Sequence, residues 1–555
     1  MKRTLAAVAA MGCVVTALAG VTVATSWDGK APVPEFVMRD ARILRECVMS
    51  DPHRPLYHFT MLDGDAMPGD SNGAFWANGR YHLFYLYMRT ENAVRGSQRL
   101  FSWGHVSSAD LLHWRHHPDA IGPEGGDGGA FSGGGFVDDD GKAYLTYWML
   151  WGNRGIGLVE STDSNYVGWK RSAANPVIRS DVDFGVSSLK GADGKTFFVG
   201  SADPSNIWKK DGKYYMLTGN KPVLDRCGRK ADSDPRYRGD HLYLFESADL
   251  RTWTYRHEFY ARRAEESRAT GWTDADEDNM CPVFLPLPSS PAGGAASGKW
   301  LLTFISHNRG CQYYIGTYDA ANDRFLPERH GRMTWNDSAY FAPEALLDGR
   351  GRQLLWTWFR DGHAGEPSGR GWRGVYGLPR SLYLRTDGTL GIAVPEEFRK
   401  LRLGEAALGA VTLADGETRE VKGVPGDLCE LSVKVSSATA AAAEIRVRAS
   451  ADGRSAAVIR YDAAKKELVC DTRTCGNDGW RIEERAPFAL AAGEDLELDV
   501  FIDRSVIEVF ANGRQAISRR VFPAATASHI LLGAKDGKAE YLSATAWEMD
   551  ATNPY

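Results

Sequence analysis

Asp70, Asp203 and the adjacent pair Glu277-Asp278 have the residue type and setting for acid–base chemistry. Asp70 lies in Gly69-Asp70-Ser71-Asn72-Gly73, Asp203 in Ser201-Ala202-Asp203-Pro204, and Glu277-Asp278 shortly before Met280-Cys281-Pro282. Each stands ahead of an apolar, strand-like run. An aspartate before Pro or Ser is, taken singly, a turn former. Three such positions in successive repeats form a set, because the first strands of repeated sheets converge on one pocket. Cleavage of a glycosidic bond needs such a set. One carboxylate is ionised to attack or to stabilise positive charge, and another carboxyl is protonated to release the leaving oxygen.

The elements that must position these acids are strands. A glycine with a basic neighbour, followed by an aromatic or apolar alternating run, recurs at Gly79-Arg80, Gly141-Lys142, Gly212-Lys213, Gly298-Lys299 and Gly351-Arg352. A second signature follows some copies. It reads Ser108-Ala109-Asp110-Leu111 up to Trp114, Ser247-Ala248-Asp249-Leu250 up to Trp253, and more loosely Ser161-Thr162-Asp163 up to Trp169. Both predict a turn and then a strand. Repeated hairpin units with no amphipathic helix between them predict an all-β, five-bladed β-propeller over residues 54–403. From Gly404 the texture turns to Ala, Val, Asp and Glu. Leu496, Leu498, Val500 and Ile502 alternate as a half-buried strand, and Asn512-Gly513 is a hairpin turn. Residues 404–555 are therefore expected to form a C-terminal β-sandwich.

Composition narrows the partners. Of 555 residues 43% are hydrophobic and 25% charged, an ordinary globular balance. With 66 Lys and Arg against 71 Asp and Glu, the net charge of −5 argues against a nucleic-acid binder. The 59 glycines and the many aromatics suit turns, strands and flat ligands such as sugars. Lys2 and Arg3, the apolar run from Leu5 to Ala19 and the small residues Ala17 and Ala19 predict an export signal over residues 1–25. Lipid anchoring at Cys13 is the lesser alternative. Residues 26–53 are expected to be a linker, and no later stretch has the length of a membrane span. After loss of Cys13 seven cysteines remain. Cys470 and Cys475 flank a short polar turn that a disulfide would bridge, whereas Cys281 and Cys311 are expected to be buried thiols. No zinc-type spacing occurs, and no metal or cofactor is expected.

The motifs also carry a resemblance. Arg54-Pro55-Leu56-Tyr57-His58-Phe59, Gly69-Asp70-Ser71-Asn72-Gly73 and Tyr81-His82-Leu83-Phe84-Tyr85 resemble the opening of glycoside hydrolase family 32. This is the invertase, levanase and inulinase family. Trp103-Gly104-His105, Phe131-Ser132-Gly133, Asp203-Pro204, Cys281-Pro282 and the tail from Phe501 to Gly513 follow in the family's order. The resemblance implies a propeller plus sandwich, with Asp70 as nucleophile and Asp203 as transition-state stabiliser. The family's acid/base glutamate, immediately before Cys-Pro, is Met280 here. Residue type points to Glu277 in its place and strand parity to Asp278. The usual arginine before Asp-Pro is Ala202, and the usual glutamine after the first strand is Leu86. Asn72, Trp76, His105, Phe131, Ser132, Arg309 and Glu344 are the candidates for gripping the sugar.

The expected function is a secreted glycosidase acting on fructan-like or related furanoside chains by a retaining, two-carboxylate mechanism. The alternatives are a non-catalytic carbohydrate-binding propeller, prompted by Met280 and Ala202, and an arabinan-type furanosidase or transglycosylase.

Overall fold

The computed structural model describes residues 32–61, 69–88, 101–122, 129–149, 154–274, 277–360, 370, 372–476, 478–479 and 481–553. The expected signal segment lies outside them. The chain divides into two compact units, residues 1–50 and 51–555. In the first, a helix occupies Glu35–Ser50, where the sequence reading expected a linker. The run contains no Gly or Pro and holds three Arg, two Met and two Glu, and Pro34 stands just before it, so local propensity favours a helix.

The second unit is built almost wholly from antiparallel sheets. Five sheets of four to six strands follow one another along the chain, with one two-stranded ribbon between the second and third. The first sheet runs Ser71–Ala77, Arg80–Met88, Phe101–Ser108 and Arg115–Ile121. The fourth runs Met280–Pro288, Ala296–Ser306, Gly310–Asp319 and Arg324–Arg332. The repeated sequence signatures fall at equivalent places. Gly79, Gly141, Gly212, Gly298 and Gly351 all have φ between +73° and +83°, four of them at the turn between first and second strands and Gly298 near the start of the second strand. At the first four of these a side chain would meet nothing, so the left-handed backbone, not space, calls for glycine. Asp110, Asp163 and Asp249 each accept hydrogen bonds from backbone N–H groups a few residues onward, tying the turn between third and fourth strands.

The first strands meet one another in a closed cycle. Gly73 N–H donates to Gly133 O (3.3 Å), linking the first sheet to the second. Gly134 lies so near Asn206 that a Cβ would stand 2.3 Å from its amide nitrogen. Asn206 then exchanges two hydrogen bonds with the Phe284 backbone (3.1 and 2.9 Å). Cys281, Ile305, Phe341 and Ala342 share one apolar cluster across the fourth and fifth sheets. Ser71 Oγ donates to Ala342 O (2.8 Å), closing the circle. The chain's entry, Thr60–Met61, pairs with Arg373–Tyr376 of the last sheet.

Residues from Arg402 to Met549 form two further sheets, of eight and six strands, around an apolar core that includes Leu431, Val433, Ile445, Ile459, Leu498 and Val500. These sheets grip the chain's entry. Asp503 accepts the backbone N–H groups of Leu56, Tyr57 and His58 at 2.7–2.9 Å, and its Oδ2 lies 2.9 Å from His58 Nδ1. His58 Nε2 lies 3.2 Å from Glu508, which also accepts Leu378 N–H.

Candidate active site

Asp70 immediately precedes the first strand of the first sheet. Its backbone is fixed there, because its carbonyl accepts Leu86 N–H (2.9 Å) and Gly69 N–H donates to Leu86 O (2.7 Å). Asp203 lies in the turn ahead of the third sheet with φ +41°, and Cys281 in the first strand of the fourth with φ +48°. Left-handed backbone strains residues other than glycine, and here it precedes proline at both positions. The register slips within Met280–Pro288 between Met280 and Val283, a bulge that re-aims the side chains at the strand's start.

These turns bring two carboxylates onto one sulfur. Cys281 Sγ lies 3.4 Å from Asp203 Oδ2 and 3.9 Å from Asp70 Oδ2. Ser132 Oγ donates to the same Asp70 oxygen at 2.5 Å. Burial raises the Asp70 carboxyl above the ordinary carboxylate range, against the opposing pull of Ser132 and of the positive charges at His307 and Arg360. Burial first, and the neighbouring Asp70 charge second, push Asp203 up to about 7. Burial thus opposes charge on both acids, and their closeness opposes a second negative charge beside the first. One can attack as an anion while the other stays poised beside it.

Around the pair is an apolar wall. Trp148, Ala202, Met280, Cys281, Ile305, Phe341 and Ala342 form one cluster, with Phe101, Phe131, Phe184 and Trp358 packed against it. Aromatic walls with a few convergent polar groups are what ligand pockets are made of. Phe131 stacks obliquely on Phe101 (4.9 Å between centroids) and meets Trp148 edge-on (5.6 Å). Arg360 lies over the Phe341 ring at 5.1 Å.

The remaining sequence candidates fall into three groups. Ser132 and Phe131 are at the site, and Asn72 supports it. Asn72 donates from Nδ2 to Asp70 O (3.1 Å) and accepts Gly133 N–H (3.3 Å), so it fixes the nucleophile's strand to the second sheet. Glu344 is buried and accepts Ala74 N–H (3.0 Å), bracing that strand from the fifth sheet. Trp76 packs on Tyr81 (4.4 Å) within the core between the first and fifth sheets. His105 is buried in a ring stack with Phe84 (4.2 Å) and His117 (4.4 Å), and burial holds its imidazole neutral. Arg309 pairs with Asp274 (2.7 Å) where both side chains are exposed.

Glu277, to which residue type pointed, is not free to donate a proton. Arg332 grips both its oxygens (2.7 and 3.2 Å), and Gln312 and the Asp274 N–H occupy what remains (2.8 and 2.9 Å). Asp278, ahead of the strand that begins at Met280, has different partners from Glu277. Its Oδ2 lies 2.7 Å from His307 Nδ1, and both oxygens accept His307 N–H. The sequence reading missed His307, Arg360 and the bridging role of Cys281. Cys470 and Cys475, expected as a bridge, are both buried free thiols.

Comparison with known proteins places the chain in a family. Residues 64–393 match Glycosyl hydrolases family 32 N-terminal domain, and residues 397–548 match Glycosyl hydrolases family 32 C terminal. The chain belongs to glycosyl hydrolase family 32. It is a glycosidase, of the class that hydrolyses O-glycosyl bonds. It is 27% identical to a levanase of Bacillus subtilis over 526 residues, covering 89% of this chain and 70% of that protein. It is 25% identical to a sucrose-6-phosphate hydrolase of Zymomonas mobilis, covering 91% of this chain and 94% of that one. In fold it is similar to fructan 1-exohydrolase IIa from Cichorium intybus, with a TM-score of 0.73 at 20% identity over 91% of this chain and 98% of that one. The exo-inulinase of Aspergillus awamori gives 0.71 at 22% over 91% and 99%.

Proposed function

We propose that this protein is an exported hydrolase that releases fructose from fructan-like or sucrose-like substrates by a retaining mechanism. In this reading its five sheets are the blades of a five-bladed propeller, residues 54–403 are the catalytic domain and residues 404–555 a β-sandwich. The observation that carries the reading is the pair of carboxylates, half-buried Asp70 and buried Asp203, sharing the Cys281 thiol where the first strands converge. Asp70 attacks the anomeric carbon. Asp203 holds sugar hydroxyls as positive charge develops at the ring. The basic start and apolar run read in the sequence as an export signal over residues 1–25 support action outside the cytoplasm, where such polysaccharides are met.

One observation favours a second reading. Two of the departures from the family pattern, Ala202 and Met280, lie in the same apolar cluster, with the Met280 sulfur packed on Gly219. A polar pair has been replaced by an apolar one, as a sugar-binding protein without catalysis would tolerate. Turnover of sucrose, inulin and levan by the purified protein separates the two. The retaining reading predicts that Asp70→Asn lowers hydrolysis by at least about 10⁴-fold with an unchanged melting curve, since an amide cannot form the glycosyl ester. Equal rates in parent and variant would remove Asp70 from the reaction.

A further inference from the structure

With Met280 in the acid/base position and Glu277 locked by Arg332, the proton donor must come from elsewhere. The fourth sheet indicates where. Met280 pairs with Ile305 across the first two strands. Just beyond that pair, outside both strands, the Asp278 carboxylate accepts the His307 N–H (3.2 and 3.3 Å). The His307 ring meets Phe341 edge-on (5.8 Å), and Phe341 belongs to the cluster that holds Met280 and Cys281. His307 Nδ1 lies 2.7 Å from Asp278, which is fully buried. The imidazole side chain itself is 39% exposed, and among the described residues Nε2 has no hydrogen-bond partner. The positive charge of His307 also lowers both Asp70 and Asp203, which places it beside the carboxylate pair.

We propose that the Asp278–His307 pair replaces the family's glutamate, with His307 Nε2 as the general acid and base and Asp278 as the residue that positions and charges the ring. The proposal rests on the retaining reading above. In the first step an Asp70 oxygen bonds to the anomeric carbon. The glycosidic C–O bond breaks, its electron pair goes to the leaving oxygen, and that oxygen takes the Nε2 proton. In the second step the neutral Nε2 takes a proton from water. The water oxygen bonds to the anomeric carbon, and the Asp70 carboxylate is expelled. An imidazole serves both steps because its two nitrogens divide the work. Nδ1–H stays on Asp278 while Nε2 exchanges the proton.

The test compares two substrates in the full-length protein, sucrose and p-nitrophenyl β-fructofuranoside, whose leaving group needs no protonation. In His307→Ala, sucrose turnover should fall by about 10²–10⁴-fold, the usual contribution of a general acid. Formation of the fructosyl ester from the nitrophenyl substrate should be nearly spared. Added azide, a nucleophile that needs no base, should restore turnover of that substrate in the variant and yield fructosyl azide. Asp278→Asn should show the same split between substrates, and His307→Gln serves if the alanine variant melts early. Equal losses on both substrates without azide rescue would overturn the pair as acid and base. So would parent-like rates in His307→Ala alongside a dead Asp70→Asn, which would leave the retaining reading standing. A parent inactive on both fructosides would overturn both readings.

Discussion

At the scale of single residues, the site turns on how a buried thiol divides one negative charge between two acids. Burial keeps Cys281 protonated well above the ordinary thiol range, so its S–H can donate to Asp203. That donation favours the ionised form of Asp203 and opposes the push from burial and from Asp70. Removing the thiol should therefore raise Asp203 further above 7. If Asp203 acts as the ionised stabiliser, the acid side of the kcat/KM profile moves to higher pH in Cys281→Ala. Cys281→Ser, which keeps a donor, should stay close to the parent. A profile on sucrose that does not move in the alanine variant would show that the thiol is packing alone. The same balance explains why Asp70 cannot be judged by residue type. Ser132, Asn72 and the Leu86 backbone fix its geometry, and these come from two different sheets.

At the scale of elements, the repeated turns were the most legible part of the sequence. Gly79, Gly141, Gly212, Gly298 and Gly351 share one backbone conformation, and Asp110, Asp163 and Asp249 one pattern of N–H acceptance. Such turns are specified locally, so a sequence can announce them. Asp70, Asp203 and Ser132 were equally readable, because each sits beside Gly or Pro in a short motif close to a strand. His307 was not. It stands in an ordinary run, Ile305-Ser306-His307-Asn308-Arg309, and only its pairing with Asp278 across 29 residues brings it to the site. Glu277 misled for the converse reason. Its residue type fits an acid, but Arg332 and Gln312 reach it from strands whose register the sequence does not state. The helix over Glu35–Ser50 was not expected, although a run without Gly or Pro and with three Arg, two Met and two Glu permits it.

At the scale of the whole molecule, a buried set of charges joins the C-terminal sheets to the start of the ring of sheets. Burial opposes charge on His58, but hydrogen bonds to Asp503 and Glu508 outweigh it and raise the imidazole above its ordinary 6.5. Burial likewise opposes charge on Glu508, yet His58 and Arg380 hold it below its ordinary 4.5. A raised histidine contributes its full stability below 6.5 and loses it as pH climbs through the folded value. A lowered glutamate contributes above 4.5 and loses it as pH falls through its folded value. Both contributions are complete between 4.5 and 6.5, so melting temperature should decline above that window. His58→Gln should flatten the alkaline decline. It should also cost about 3–5 kcal/mol at pH 6, because Asp503 is left buried without its histidine cation and Glu508 keeps only Arg380. Melting curves across pH for parent and variant check both statements, and an unchanged alkaline slope would place the linkage elsewhere.

The central claim is that Asp70 carries the sugar. Acid-quenched enzyme taken during turnover of p-nitrophenyl β-fructofuranoside, digested and weighed by mass spectrometry, tests it most directly. His307→Ala is the form to use, since slowed release of the ester should let it accumulate. The account predicts the added mass of one fructosyl residue on the peptide that contains Asp70, and none on it in Asp70→Asn. An adduct on Asp203 or Cys281, or steady turnover with no adduct on any peptide, would contradict it.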